Sequence, residues 1–259
     1  MNRESTAPAR TGSGEPNGGD NGARQGRGGP TRAELRARYG DRLRWLILVT
    51  LMLGTMSSIV SSTIVNVAIP DLSRHFSLGQ ERAQWVAASF MIAMTLSMLL
   101  TPWLLNRYGL RRTFIGSLML LGVGGLVGGL SPTYGVMLAM RVAEGVAAGI
   151  MQPLPNIFIL RVFDEREQGK ALSLFGFGVV LAPAIGPSVG GFLVETFGWR
   201  SIFFVVVPLT LLGLWMARRY MAVDSAMMGE RRPLDWRGLA LAGVATVSLL
   251  NGLVEMRGN

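Results

Sequence analysis

Seven long apolar runs constrain this sequence more than any other feature. Six of them contain no charged residue, and the fourth contains only Arg141 and Glu144. A helix needs about 17 to 25 predominantly apolar residues to cross a bilayer, and each run reaches or nearly reaches that length. We therefore predict an all-α integral membrane protein with seven spans. In chain order the runs are Trp45–Ile69, Trp85–Leu105, Thr113–Leu130, Tyr134–Leu160, Ala171–Val194, Ser201–Ala217 and Gly238–Val254.

The alternative of a water-soluble helical bundle does not fit the pattern within these runs. Helices of a soluble bundle show polar residues along one face with a period of about 3.6 residues, whereas these runs have no such polar face. The mean hydropathy of the chain is +0.37, and 49% of its residues are hydrophobic, although the first 44 residues are polar. These values favour the membrane fold.

Positive charge is distributed unevenly among the predicted loops. Of the 25 lysines and arginines, twenty precede the first run or lie in the loops that follow the second, fourth and sixth runs. Cytoplasmic loops of membrane proteins carry this kind of excess. We therefore predict a multi-pass protein of the cell membrane, that is, the cytoplasmic or inner membrane, with a cytoplasmic N-terminus. The net charge of +9 then requires no nucleic-acid partner.

The sequence divides into four predicted segments. Residues 1–44 form a disordered, basic cytoplasmic tail, because their first part is rich in Gly, Arg and polar residues and cannot bury a core. Residues 45–217 form a bundle of six helices. Residues 218–237 form a cytoplasmic loop, and residues 238–259 hold the seventh span and the end of the chain.

Residue types that carry chemistry are scarce. The chain has no cysteine and a single histidine, His75, so it lacks the residues for a disulfide or a clustered metal site. No arrangement of a nucleophile and a base is recognisable in the sequence. We predict no cofactor, no bound metal and no enzymatic activity.

The fifth run combines prolines and glycines in the uncharged stretch LAPAIGPSVGG at residues 181–191. In lipid, helices associate through close approach of their backbones, which small residues four positions apart permit. Each proline removes one helical hydrogen bond, a loss that neighbouring helices can accommodate. General membrane packing would explain the glycines equally well. The predicted contact stripe consists of Gly178, Ala182, Gly186 and Gly190, with Pro183, Pro187 and Gly191 on the adjacent stripe.

Two sets of polar residues lie inside predicted spans. An arginine within a span is unfavourable unless it faces a cavity or a partner, and Glu144 follows Arg141 by three residues on nearly the same helix face. We predict that Arg141 tunes Glu144 as a protonatable carboxylate; the alternative is a permanently closed salt bridge. Ser58, Ser62 and Asn66 recur every four residues on the first helix. We predict that they face a substrate cavity, or, for the serines, that they bond to other helices.

Five motifs occur in order along the chain. They are STIVNVAIP (Ser62–Pro70), PWLLNRYGLRR (Pro102–Arg112), RVAEGVAAG (Arg141–Gly149), the stretch Ala182–Gly191 and WRSIFFVVVP (Trp199–Pro208). The first four resemble the signatures D-x-T-I-V-N-V-A-L-P, G-x-L-x-D-R-x-G-R-R, R-x-x-Q-G-x-G-A and G-x-x-x-G-P-x-x-G-G of the major facilitator superfamily. The first of these signatures is that of its fourteen-helix drug:proton antiporter branch, whose sixth helix the fifth motif resembles. The resemblance covers the chain from Trp45 onward.

The resemblance implies roles for two groups of residues. In the family, the loop after the second helix latches one helix to the other half of the transporter; anchoring of the topology explains its arginines equally well. Gly109 can take a positive φ in such a tight turn. The candidate gating residues are Asn106, Arg107, Gly109, Arg111 and Arg112. The candidate residues of the antiporter motif are Gly186, Pro187, Gly190 and Gly191.

Several positions depart from the family pattern. The acid that the family has in helix 1 falls at Ser61, and the acid of its second loop falls at Asn106; Pro102 and Leu110 replace a glycine and a basic residue. The family usually has Gln at the position of Glu144. Because serine cannot carry a titrating proton at physiological pH, we expect coupling to have moved to Glu144 or transport to be uncoupled.

The function that the resemblance implies is proton-coupled export of drugs or toxic amphipathic metabolites. Its partners would be the lipid bilayer, protons and a small amphipathic substrate. Superfamily transporters resemble two six-helix halves that rock around a shared site, and this sequence stops after the seventh run. We expect an N-terminal half that works with a C-terminal half. The alternative is a truncated fragment without transport activity, or an assembly partner.

Overall fold

The structure is a computed structural model that describes residues 31–222 together with Gly238, Leu241 and Gly243. The helices are the only regular elements assigned within this described part of the chain. They are α1 (Arg32–Tyr39), α2 (Arg42–His75), α3 (Gln80–Met98), α4 (Thr101–Gly129), α5 (Tyr134–Met151), α6 (Leu154–Val162), α7 (Glu165–Phe197), α8 (Ser201–Phe204) and α9 (Val206–Tyr220).

The all-α membrane fold predicted from the apolar runs is confirmed. The first and fifth spans lie in α2 and α7, the second runs from α3 into α4, and the third follows in α4. The fourth span comprises α5 and α6, and the sixth comprises α8 and α9. Five helical segments of the described chain are long and apolar enough to cross a membrane. The predicted seventh span, Gly238–Val254, lies outside the described residues except for Gly238, Leu241 and Gly243.

A single glycine separates the second span from the third. Gly109 has φ 77° and ψ 169°, and it joins two helical stretches within α4 without an intervening loop. The hydroxyl of Thr113 donates a hydrogen bond to the carbonyl of Leu104 across this turn at 3.3 Å. The positive φ expected at Gly109 is confirmed. A residue with a side chain would be strained in this backbone conformation, which is essentially restricted to glycine.

Two spans are interrupted at neighbouring places. The second span breaks at Leu99–Leu100, and the fourth breaks at Gln152–Pro153, where the proline has no N–H to continue the helix. The hydroxyl of Thr101 donates to the carbonyl of Ile150 at 3.2 Å and ties the two breaks together. Gly149 lies so close to the carbonyl of Met94 that an added Cβ would overlap it. The interruptions of the two spans therefore lie beside one shared contact.

The bundle is built around α2 and α5. α2 packs against α3, α7 and α9, while α5 packs between α3 and α4. Large buried side chains such as Leu48, Phe90 and Phe114 fill the space between these helices. Other large apolar side chains, including Phe177 and Val180 of α7, are exposed, as expected for a surface that faces lipid or another part of the protein.

The loops gather at two ends of the bundle. One end, which we call the arginine-rich end, brings Arg44, Arg111 and Arg161 to one pocket with the last residues of α9. At the opposite end, the rings of Phe76 and Tyr134 both belong to an aromatic cluster that also contains Trp199. The loops predicted to share one side of the membrane therefore share one end of the bundle.

The predicted tail boundary at residue 44 was wrong. Residues 32–39 form α1, whose first turn is held by reciprocal hydrogen bonds between Thr31 and Glu34. Leu35 is 2% exposed and Leu43 is 8% exposed, so this segment packs against the bundle. Both the capping pattern T-x-x-E and the spaced leucines were present in the sequence. Residues 1–30 lie outside the described residues.

Candidate functional site

The charged pair of the fourth span lies where α2, α3 and α5 meet. Arg141 is 1% exposed and Glu144 is fully buried. Nη1 of Arg141 donates to Oε2 of Glu144 at 2.5 Å, so the structure brings the two candidate proton-coupling residues into contact. The two residues are separated by one helical turn, which places both side chains on the face of α5 that is turned towards α2 and α3.

Arg141 also binds groups on the neighbouring helices. Nε donates to the carbonyl of Val86 on α3 at 3.2 Å, Nη1 to the hydroxyl of Ser61 on α2 at 3.0 Å, and Nη2 to the carbonyl of Ser61 at 3.4 Å. The guanidinium carbon lies 4.3 Å from the centre of the Phe90 ring. A buried cation requires such partners, because leaving it without them is strongly unfavourable.

Ser61 is a site residue that the sequence analysis did not assign. It was identified only as the place where the family's helix 1 acid is missing. In the structure Ser61 is 2% exposed, accepts from Arg141 and donates through its hydroxyl to Oε2 of Glu144 at 3.3 Å. The departure from the family pattern was the one available signal, and it did not reveal that residues 61 and 144 are neighbours.

The carboxylate of Glu144 has one oxygen bound and one free of protein partners. Its Oε1 is buried and has no hydrogen-bond partner among the described residues. Two glycines of α4 make room for the side chain: a Cβ added at Gly124 would lie 2.6 Å from Cγ of Glu144, and one added at Gly125 would lie 3.4 Å from Oε1. Buried polar atoms without a hydrogen-bond partner are uncommon in folded proteins, which sets this oxygen apart.

The polar stripe of the first helix is not uniform. Ser58 is 2% exposed, Ser62 is half-buried and Asn66 is exposed. The hydroxyls of Ser58 and Ser62 donate to the carbonyls of Thr55 and Ile59 in their own helix, and within the described part of the chain neither hydroxyl bonds to another helix. Burial of Ser58 does not fit the role of lining a cavity. Ser62 and Asn66 remain on the accessible side of α2.

The small-residue stripe of α7 packs against α2. Gly178, Ala182, Gly186 and Gly190 are all buried. A Cβ added at Gly178 would lie 3.0 Å from Met52, one at Gly186 would overlap Thr63, and one at Gly190 would lie 2.6 Å from Ile64. Pro187 of the adjacent stripe is exposed, and Gly191 has open space in front of it. The antiporter motif thus has a packed face and an accessible face.

The candidate gating residues surround the turn at Gly109. Asn106 and Arg111 are half-buried, whereas Arg107 and Arg112 are exposed. The guanidinium of Arg107 lies over the rings of Trp103 and Tyr108, with distances of 5.6 and 5.8 Å to their centres. Nε of Arg111 is buried without a hydrogen-bond partner in the described part of the chain. The five residues therefore lie together at the arginine-rich end.

The fold and the buried charged pair together define a class of protein. A multi-pass bundle of apolar helices, with a charged pair buried between three of them, is typical of membrane transport proteins. Comparison with known proteins then identifies the family. Residues 51–253 match the profile of the Major Facilitator Superfamily, and the chain belongs to this superfamily of transporters, not to an enzyme family.

Several bacterial relatives are similar over most of the chain. Multidrug export protein EmrB of Escherichia coli (strain K12) is 30% identical over 204 residues, which are 79% of this chain and 40% of EmrB. Multidrug resistance protein Stp of Mycobacterium tuberculosis (strain CDC 1551 / Oshkosh) is 31% identical over 83% of this chain and 40% of Stp. The chain therefore spans about two fifths of the length of these relatives.

Solved structures support the fold. The proton:xylose symporter XylE bound to 6-bromo-6-deoxy-D-glucose superposes with a TM-score of 0.63 at 18% identity, over 70% of this chain and 45% of XylE. The peptide transporter POT in complex with sulfate also gives 0.63, at 15% identity, over 84% of this chain and 46% of that one. At these identities the likeness concerns the fold alone.

Proposed function

We propose that this chain is the N-terminal half of a proton-coupled exporter of drugs or toxic amphipathic metabolites in the cell membrane. The relatives EmrB and Stp are named for multidrug export and multidrug resistance, which supports this class of substrate. The arginine-rich end faces the cytoplasm, since basic residues concentrate there. A second six-helix half completes the transport path.

One observation carries the proton-coupling part of the proposal. Oε2 of Glu144 lies 3.3 Å from the hydroxyl of Ser61, the position where the resembling branch has its helix 1 acid. Both positions contact the same cation, Arg141. The carboxylate has therefore moved from α2 to α5 while staying beside the same arginine. The site retains one carboxylic acid, Glu144, and one cation, Arg141, although the sequence lacks the acid at its usual position.

Protonation of Glu144 changes the electrostatics of the site. The ionised carboxylate neutralises Arg141; when a proton binds, the carboxylate becomes a neutral acid and Arg141 is left as a buried cation. Breaking a buried pair in this way destabilises the arrangement by about 3 to 5 kcal/mol. The protonated state therefore favours a conformation in which Arg141 reaches water or another partner, which is the population shift that coupling requires.

The accessible side of α2 and α7 supplies the proposed substrate surface. Asn66 is exposed, Ser62 is half-buried, and Pro187 and Gly191 of α7 are not packed against α2. This surface combines one amide and one hydroxyl with apolar neighbours, which suits an amphipathic molecule with few polar groups. The other half of the transporter would form the opposite wall.

The test uses this chain joined to, or expressed together with, a C-terminal half in a bacterial strain that lacks its own drug pumps. Dye efflux is measured with and without an uncoupler. Glu144→Gln keeps the shape of the side chain and removes the titrating proton, so uncoupler-sensitive efflux should disappear. The double variant S61D/E144Q returns a carboxylate to the neighbouring position and should recover part of the uncoupler-sensitive efflux. Ser61→Asp alone, which adds a second carboxylate beside Glu144, is the control for the double variant in the same efflux assay.

One result would argue against the proton-coupling part of the proposal. Uncoupler-sensitive efflux that survives Glu144→Gln would leave Arg141 and Glu144 as a closed structural salt bridge. Equal protein levels of all variants, checked by immunoblot, ensure that lost efflux is not lost protein. For the alternative of a non-transporting fragment, the 259-residue chain is compared with a longer reading frame in the same assay. If only the protein encoded by the longer frame supports efflux, transport requires both halves.

A further inference from the structure

A pocket at the arginine-rich end has features of an anion site that the transport proposal does not use. Its volume is about 530 Å³, and it lies where α1, the start of α2, the turn at Gly109, the end of α6 and the end of α9 converge. Its charged lining residues are four arginines and two aspartates, which leaves it net positive. They are Arg36, Arg44, Arg111, Arg161, Asp41 and Asp164. We call this cavity the arginine pocket.

Three of the four arginines in the arginine pocket form no salt bridge within the described part of the chain. Arg44 pairs with Glu167 at 2.6 Å and lies 3.8 Å from Asp164. Arg36, Arg111 and Arg161 form no salt bridge within the described residues. The positive charges of Arg218 and Arg112 also repel the guanidinium of Arg111. An anion bound among these arginines would offset their mutual repulsion.

Two arginines of the pocket each have a donor without an acceptor among the described residues. Nε of Arg44 and Nε of Arg111 are both buried and without a hydrogen-bond partner in the part of the chain that the structure describes. A buried donor without an acceptor destabilises a protein by about 1 to 3 kcal/mol. Phosphate oxygens are the acceptors that arginine binds best, because a phosphate matches the planar fork of the guanidinium. The pocket chemistry therefore suits a phosphate group.

The position of the pocket indicates where that phosphate comes from. Leu160, directly before Arg161, is 61% exposed, and Trp215, one turn before Arg219, is 59% exposed. The ring of Tyr220, which lines the pocket, contacts Trp215 at 6.3 Å between ring centres. Exposed apolar side chains followed by Trp, Tyr and arginine mark the level of lipid headgroups in membrane proteins. The pocket thus lies at the level expected for lipid headgroups.

We propose that the arginine pocket binds the headgroup phosphate of an anionic phospholipid. Leu43, Ile47 and Phe158 in its lining provide apolar contacts for the glycerol and upper acyl chain, which a free phosphate ion would not use. Bound lipid would bridge α1, α4 and α6 and so hold the turn at Gly109 against the rest of the arginine-rich end. Lipid binding at this place does not depend on whether the chain transports.

The proposal is tested on the full chain purified in detergent. Phosphatidylglycerol is titrated in, with phosphatidylcholine of the same acyl chains as the neutral comparison, and bound lipids are counted by native mass spectrometry. One arginine near an anionic lipid contributes about fivefold to binding. Arg161→Gln should therefore weaken binding about fivefold, and R111Q/R161Q by more than tenfold. Arg166→Gln is the matched control, because Arg166 is an exposed arginine at the same end that does not line the pocket.

Each outcome decides the proposal. Selective loss in the pocket variants, with less than about twofold loss in Arg166→Gln, supports the site. Equal losses in Arg161→Gln and Arg166→Gln would show general charge attraction and overturn it. Displacement of the lipid by inorganic phosphate at the same concentration would assign the pocket to a free anion and overturn the lipid source. Arg161 is exposed, so its variant tests the proposal even where R111Q/R161Q fails to fold.

Discussion

Two contacts of α2 show how differently this bundle is held together. Towards α7, α2 meets the uncharged stripe Gly178–Gly190, where backbones approach closely and no polar group is required. Towards α5, the same helix meets Arg141 and Glu144, which form a buried ion pair and both hydrogen-bond to Ser61 of α2. The first contact depends on close packing of small residues, whereas the second depends on the balance of two buried charges. Substitutions at the two contacts should therefore differ in how much they change the stability and in which second substitution restores it.

The largest effect is expected when one charge of the buried pair is removed. Glu144→Ala leaves Arg141 as an uncompensated buried cation, which should lower the free energy of unfolding by about 3 to 5 kcal/mol. Unfolding of the purified chain is followed by circular dichroism in mixed micelles. The double variant R141M/E144M removes both charges and should recover most of the loss. If it is no more stable than Glu144→Ala, the buried charge is not the cause.

The turn at Gly109 should respond next. Its φ of 77° with ψ 169° is accessible to glycine and strained for other residues, so Gly109→Ala should destabilise the protein by about 1 to 3 kcal/mol. Gly116 lies on the same helix, is regular in conformation and has open space around it, so Gly116→Ala is the matched control. We expect the control to be neutral or slightly stabilising. Equal effects would mean that the turn relaxes.

The stripe of α7 should be less sensitive. A methyl group at residue 186 overlaps the side chain of Thr63, which can change its rotamer, so Gly186→Ala should destabilise by about 1 kcal/mol. Gly176 of the same helix has nothing within 4 Å of an added Cβ, and Gly176→Ala should stabilise by about 0.5 to 1 kcal/mol. The same unfolding assay measures both variants. Changes of opposite sign in the free energy of unfolding would establish close packing as the role of the stripe.

The two contacts also differ in how far the sequence alone could reveal them. Spacing of four residues predicted which face of α7 is buried, because a helix repeats locally and the signal lies in one segment. The positive φ at Gly109 was likewise predicted from a local feature, a glycine in a short loop between two spans. The site at Glu144 needed Ser61, which is 83 residues away and on another helix. No local pattern encodes that distance, so the sequence yielded the pair and missed its third member.

Helix α1 was missed for a different reason. Its eight residues contain four charges and lie next to a long polar segment, so composition outweighed the capping pattern at Thr31 and Glu34. The burial of Ser58 was missed because a four-residue repeat defines a face of α2 but not what covers it. A helix in a bundle changes its neighbours along its length, and only the packed structure shows where this happens.

The smallest effect is expected at an ion pair that resembles the buried one in chemistry but not in surroundings. Arg44 and Glu167 approach to 2.6 Å, with 23% and 36% of their side chains exposed. Glu167→Gln should lower stability by less than about 1 kcal/mol, because water compensates much of the lost attraction, and added salt should reduce the difference further. Thermal unfolding at low and high salt measures it. A loss as large as that of Glu144→Ala, or one that salt leaves unchanged, would show that burial is not what separates the two pairs.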